Sequence, residues 1–137
     1  MIESKMNSVD DVSKFIVTSH LKENSTLRIY DAIYQSGAIR SFLISSKNDD
    51  IRGNHSHTRS RQWFTVIQGQ ISVEVYDGKE TKTFSLQDSN EILLVPAGIW
   101  SRQIYSENST LLVFTDTQYD EKDYIRSFAE FKQWKTK

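Results

Sequence analysis

From Thr26 onward the apolar residues of this chain recur at every second position, in short runs broken by turn residues. Ile71, Val73 and Val75 alternate with Ser72, Glu74 and Tyr76, the pattern of a strand with one buried face. Asp77-Gly78 follows at once, and both residues tolerate the positive φ that a tight hairpin needs. The same reading predicts strands over 39–44, 62–67, 81–86, 91–95, 100–105 and 111–115, with Leu27, Ile29 and Ile33 opening the series. Pro96 stops the run over 91–95. Short strands at a spacing of about 8–12 residues specify an all-β sandwich or barrel.

The two ends break the pattern. Ser8-Val9-Asp10-Asp11 has the form of a helix start, with Ser8 as N-cap and an acid three residues on. Val9, Val12, Phe15 and Ile16 then sit at helical spacing, predicting a helix that ends near Leu21, with His20 in its last turn. At the other end Asp120 and Asp123 suit a helix start, and Tyr124, Ile125, Phe128 and Phe131 continue at helical intervals. This tail is expected to pack on the domain or on a partner copy. No repeat or linker interrupts the chain. The expected organisation is a single domain over 1–137: a helical extension (1–24), a β-barrel (25–117) and a helical tail (118–137).

Composition narrows the chemistry. The 137 residues, 37% hydrophobic and 12% aromatic, suit one packed core. Seventeen basic and 18 acidic residues leave a formal charge of −1, against a dedicated nucleic-acid binder. The absence of cysteine excludes disulfides, thiol catalysis, iron–sulfur clusters and cysteine-ligated zinc. The longest apolar run, Ile92-Leu93-Leu94-Val95, falls far short of the about 20 residues of a membrane helix. The first residues lack a basic stretch followed by an apolar one. A soluble, cytoplasmic protein without nucleic-acid or membrane partners is the expectation.

Two of the three histidines, His55 and His57, stand two residues apart. On a strand they project from one face. Four residues separate His57 from Gln62, and six more separate Gln62 from Gly69. This spacing resembles the first motif of the cupin superfamily, His-x-His followed by an acid and a glycine. The second cupin motif, Pro-x-Gly-x-x-His, is matched by Pro96-Ala97-Gly98-Ile99-Trp100-Ser101. Metal-binding cupins take ligands from the two histidines, the acid and the last histidine. Here Gln62 and Ser101 stand at the last two positions. A neutral amide and a hydroxyl are poor partners for a transition metal, so neither a metal nor another cofactor is expected.

Three blocks narrow the resemblance. Arg52-Gly53-Asn54-His55-Ser56-His57 with Gln62, then Pro96-Ala97-Gly98-Ile99-Trp100, and the tail from Tyr119-Asp120-Glu121 through Asp123-Tyr124-Ile125-Arg126 to Phe131 look like the WxcM-like, sugar 3,4-ketoisomerase group of cupins. The likeness runs from about Leu27 to Phe131. It implies a double-stranded β-helix (a jelly-roll barrel), a homodimer and a dTDP-linked 4-keto-6-deoxyhexose as substrate. Members move the carbonyl from C4 to C3. A partner PLP-dependent aminotransferase then aminates C3, and the amino sugar enters surface polysaccharide.

The residues fit that chemistry. One neutral imidazole can take the C3 proton and return it at C4. The expected catalytic pair is therefore His55 and His57, one on the carbon proton and one moving protons between oxygens or orienting the ring. Arg40 and Arg52 are candidates to stabilise the enediolate or to hold the pyrophosphate. Gln62 is a candidate for a sugar hydroxyl or for orienting a histidine, and Trp100 for stacking on sugar or thymine. Three positions depart from the family pattern. The stretch 23–27 lacks an Arg-Gly, Phe42 replaces a tyrosine, and Ser101 precedes Arg102 where the family has arginine directly after Ile-Trp, so Arg102 faces away unless a bulge intervenes. A related sugar-nucleotide epimerase, a non-catalytic nucleotide-sugar-binding cupin and a metal-dependent cupin dioxygenase are the alternative readings.

Overall fold

A computed structural model describes residues 2–136. Strands run β1 (Ser13–Ile16), β2 (Thr18–Lys22), β3 (Ser25–Ile29), β4 (Arg40–Ser46), β5 (Asp50–His57), β6 (Gln62–Gln68), β7 (Ile71–Tyr76), β8 (Thr81–Leu86), β9 (Glu91–Val95), β10 (Trp100–Tyr105), β11 (Ser109–Thr115) and β12 (Tyr124–Ile125). The α-helices are α1 (Ile2–Lys5), α2 (Asp31–Gln35) and α3 (Phe128–Thr136). Two antiparallel five-stranded sheets face each other, in the orders β1-β9-β6-β11-β4 and β12-β5-β10-β7-β8, and β2 and β3 form a separate hairpin.

The period-two positions make the core. Ile71, Val73 and Val75 of one sheet meet Leu93, Val95, Leu111 and Val113 of the other, all buried. Each such aliphatic side chain contributes roughly 1.5–3 kcal/mol on burial. A second cluster lies on the outer face of the first sheet, where Trp63, Ile92 and Phe114 pack beneath Ile33 of α2. Ile33 thus belongs to a short helix and not to the strand pattern that introduced it. At the β7–β8 turn, Asp77 accepts from the backbone of Lys79, Glu80 and Val9, closing the hairpin and tethering the N-terminal segment.

The N-terminal helix expected to end near Leu21 does not form. The capping box is real: Ser8 Oγ accepts from Asp10 N–H, and Asp11 reaches back to Ser8 N–H. The turn it starts lasts only Val9–Asp11. Ser13–Ile16 then pairs with β9, Phe15 opposite Ile92, and His20 lies in β2 opposite Leu27. The segment is rich in Val, Ile, Phe and Thr, and an open sheet edge offers it a complete set of hydrogen bonds. The C-terminal helix exists but starts later than its spacing suggests. Tyr124 and Ile125 form a strand paired with His57 and Ser56, and α3 begins at Phe128 with Phe131 buried.

Candidate active site

His55 and His57 project from one face of β5, their ring centroids 5.0 Å apart and nearly perpendicular. A bulge sets their surroundings. Ser101 of β10 pairs with His55 and the next residue, Arg102, pairs with Gly53, so Asn54 is the extra residue. Gly53 and Asn54 carry φ of 92° and 57°. A Cβ on Gly53 would approach Gln103 Oε1 to 2.9 Å and Arg102 Cα to 3.1 Å, so only glycine fits. Strict alternation would turn Arg52 away from His55; the extra residue brings both to one cavity.

His57 is held by a carboxylate from the tail. Its Nδ1 lies 2.8 Å from Asp123 Oδ2. Asp123 is only 3% exposed and also accepts from Arg59 N–H (2.6 Å), Ser60 Oγ (2.5 Å) and Thr58 Oγ1 (3.2 Å). Burial opposes its charge, but the hydrogen bonds from His57, Ser60 and Arg59 outweigh burial and hold the carboxyl well below the usual carboxylate range. An ionised carboxylate only accepts, so His57 Nδ1 carries a proton and donates it to Asp123. The Nε2 of His57 is buried without a protein partner. The backbone carbonyl of His57 accepts from Gly98 N–H at 2.7 Å, which is how the Pro96–Gly98 turn supports the site.

Burial, and then the positive potential of His57 and Arg126, lower the pKa of His55 from 6.5 to about 4. His55 is therefore neutral at physiological pH. Tyr124 of β12 closes the cluster, its ring 4.4 Å from His57 and 5.1 Å from His55. Arg126 lies over the Tyr124 ring at 4.2 Å and is paired to Glu121 through two hydrogen bonds.

These groups surround a cavity of about 210 Å³ between the sheets. His55, Arg52, Gln62, Gln103, Tyr124 and Arg126 supply its polar wall, and Phe42 and Phe64 part of its apolar one. His57 lies behind that wall, 7% exposed. Of the residues singled out from sequence, His55, His57, Arg52 and Gln62 come together. Arg40 shares the face of Phe42 on β4, but its guanidinium lies over the Phe42 ring and its Nε–H donates to the Thr117 carbonyl, outside the cavity lining. Trp100 is on the outer face of the second sheet, packed against Phe128 and Phe131. Arg102 also faces outward and pairs with Glu74, because the bulge is in β5 and not in β10.

Asp123, Tyr124, Arg126 and Gln103 were not singled out from sequence as site residues. Gln103 was reachable by alternation, two positions from Ser101 on β10. For the other three, the only signal was the tail block of the family resemblance. Among the described residues no three His, Cys, Asp or Glu side chains gather as a metal-ligand group.

The family model described as "FdtA: WxcM-like, C-terminal" matches residues 22–136. A TDP-4-oxo-6-deoxy-α-D-glucose 3,4-oxoisomerase from Aneurinibacillus thermoaerophilus is 27% identical over 94 residues, 68% of each chain. The TDP-fucose 3,4-ketoisomerase WlaRA from Campylobacter jejuni superposes with a TM-score of 0.81 at 27% identity, over 91% of this chain and 96% of that one. The 3,4-ketoisomerase QdtA from Thermoanaerobacterium thermosaccharolyticum shares the fold, with a TM-score of 0.83 at 22% identity over 92% and 94% of the chains. That structure is a variant with one histidine changed to asparagine, in complex with TDP-4-keto-6-deoxyglucose.

Proposed function

The chain belongs to the FdtA, WxcM-like C-terminal family, and we propose that it is a 3,4-ketoisomerase moving the carbonyl of a dTDP-4-keto-6-deoxyhexose from C4 to C3. One observation carries the reading: a neutral imidazole, His55, lies on the cavity wall, backed by His57, which the buried carboxylate of Asp123 holds in place. In this mechanism His55 removes the C3 proton. The C–H electrons form the C3–C4 double bond, and the carbonyl electrons move to O4. Arg52 and Gln103 steady that oxygen. A proton passes from O3 to O4, His55 returns its proton to C4, and the new carbonyl is at C3. The C3–H bond broken is matched by the C4–H bond formed, and the O3–H by the O4–H, so no oxidant or reductant is consumed. Asp123 holds His57 in one tautomer, and its charge favours the imidazolium formed on His55 midway.

The wider reading takes the sandwich as a cupin double-stranded β-helix that works as a homodimer. The 3-keto product is the substrate a PLP-dependent aminotransferase requires, for a 3-amino-3,6-dideoxy sugar of surface polysaccharide. No helix among the described residues is long and apolar enough to cross a membrane, and a cytoplasmic location matches a sugar-nucleotide substrate. The test is incubation with dTDP-4-keto-6-deoxyglucose in D₂O, followed by NMR. The expected result is a 3-keto sugar, with deuterium at C4 to the extent that the His55 imidazolium exchanges with solvent before it gives up its proton. A 4-keto sugar inverted at C3 or C5, with no 3-keto product, would mean an epimerase, and an unchanged, unexchanged sugar would mean a binding protein.

A further inference from the structure

The carboxylate of Asp123 is surrounded by donors. Oδ1 accepts from the Arg59 N–H and the Thr58 hydroxyl, with a longer contact of 3.4 Å from the Ser60 N–H. Oδ2 accepts from His57 Nδ1 at 2.8 Å and from Ser60 Oγ at 2.5 Å. A carboxylate offers about four acceptor sites, so none is left over. Among the described residues, Ser60 is the one side chain that shares Oδ2 with the histidine.

Ser60 lies between β5 and β6 and is buried, 3% exposed. Its Oγ also meets Thr117 Oγ1, two residues past the end of β11. One hydroxyl has one proton to give. The charged oxygen is the stronger acceptor, so Ser60 donates to Asp123 and Thr117 donates to Ser60. The bonds run in a line, Thr117 to Ser60 to Asp123, and meet the bond from His57 on one oxygen. Hydrogen bonds in such a line reinforce one another.

The order of these groups excludes a nucleophilic serine. In a serine triad the imidazole stands between hydroxyl and carboxylate and takes the hydroxyl proton. Here the carboxylate stands in the middle, and an ionised carboxylate holds no proton to pass on. The hydroxyl instead fixes the carboxylate. With the Arg59 N–H on one oxygen and Ser60 on the other, the carboxylate plane cannot turn without losing a bond. The remaining lone pair of Oδ2 therefore stays aimed at His57 Nδ1. Burial opposes the charge on Asp123, and after the His57 bond the Ser60 bond is the next to sustain it.

We propose that Ser60, backed by Thr117, is a positioning residue that acts through Asp123 to hold the His57 ring beside His55. This rests on the ketoisomerase reading and extends the machinery to a buried hydroxyl behind the cavity. Neither Ser60 nor Thr117 belongs to the cavity lining, so neither touches the sugar.

Steady-state turnover of dTDP-4-keto-6-deoxyglucose by Ser60→Ala, Thr117→Val and the double variant Ser60→Ala/Asp123→Asn tests it. Ser60→Ala is expected to lower kcat about tenfold and to leave KM within about twofold. Thr117→Val keeps the side-chain shape, removes the donor to Ser60 and is expected to give a smaller loss of kcat at unchanged KM. The double variant separates positioning from a merely structural role. A hydroxyl that works through Asp123 costs less than about twofold in kcat once residue 123 is asparagine, whereas losses that multiply in full overturn the proposal. Wild-type kcat in both Ser60→Ala and Thr117→Val also overturns it, and if Ser60→Ala fails to fold, an unchanged kcat in Thr117→Val is enough to do so. If wild type turns over no keto sugar, the ketoisomerase reading fails first. The positioning role is then read from the proton NMR resonance of His57 Nδ1–H, which is expected to move in Ser60→Ala and in Thr117→Val; a resonance that stays in place in both overturns it independently of activity.

Discussion

Acid should unfold this protein earlier than its carboxylates alone would dictate, and His55 is the reason. Its pKa falls from 6.5 to about 4 on folding, because the ring is buried beside His57 and Arg126. The native state therefore resists protonating His55, whereas the unfolded chain accepts the proton as pH drops below 6.5. Stability declines through the window from 6.5 to 4 and levels off below it, where both states carry the proton. The full shift corresponds to about 3 kcal/mol, of which about 2 kcal/mol is lost between pH 7 and pH 5. That is a sizeable part of the roughly 5–15 kcal/mol that stabilises a domain. Urea unfolding followed by tryptophan fluorescence, at half-unit steps from pH 7 to pH 4.5, measures it for wild type and for His55→Asn. Asparagine is similar in size and does not titrate, so the variant should lose much less stability across this window. Parallel profiles for the two proteins would refute the assignment. The Asp123 contribution is separable, because a carboxyl depressed on folding loses its stabilisation only as pH falls below the ordinary carboxylate value of 3.8.

Three further outcomes follow from the site. Asp123→Asn should cost about 2–4 kcal/mol in urea unfolding, since it removes the buried charged acceptor for His57, Ser60 and Arg59. The same variant should lower kcat about 100-fold and move the pH–rate profile, because Asn does not fix the His57 tautomer as a carboxylate does. His55→Asn should abolish solvent exchange at C3 of the sugar, whereas His57→Asn should slow it and leave it measurable by NMR. Gly53→Ala forces a Cβ against Gln103 and the Arg102 backbone at a φ of 92°; a loss of about 1–3 kcal/mol in thermal unfolding is expected, with activity falling further than stability because the bulge aligns Arg52 with His55.

What alternation could reveal, it revealed. Ile71, Val73 and Val75 are buried and Ser72, Glu74 and Tyr76 are not, as a period of two requires. The histidine pair was visible for the same reason, because i and i+2 on a strand share a face. The N-terminus misled because its local signal is genuine. Ser8 does cap a turn, but one capping box stabilises a single turn, and the free edge of β9 then competes for Ser13–Ile16 with a full ladder. Asp123 was unreadable in a different way. As an acid before an aromatic run it looks like a helix-start residue, and its partner His57 is 66 positions away. Only the pairing of Tyr124 with His57 makes it the group that orients an imidazole.

That pairing explains why so much of the site hangs on two residues of strand. A slip of one position along β5 would replace Tyr124 with Ile125 at the histidine face and turn Arg126 away from the cavity. A two-residue ladder cannot hold its register against such a slip. The polar cluster just before it can. Thr58 N–H donates to the Asp123 carbonyl at 2.8 Å, while Thr58 Oγ1 and the Arg59 and Ser60 backbone N–H groups converge on its carboxylate. The carboxylate that orients His57 is thus also the anchor that sets the register of Tyr124 and Arg126. Stability and chemistry meet in one buried charge, so a substitution at Asp123 loosens the aromatic cover of the histidines and the cation on the cavity wall together with the tautomer.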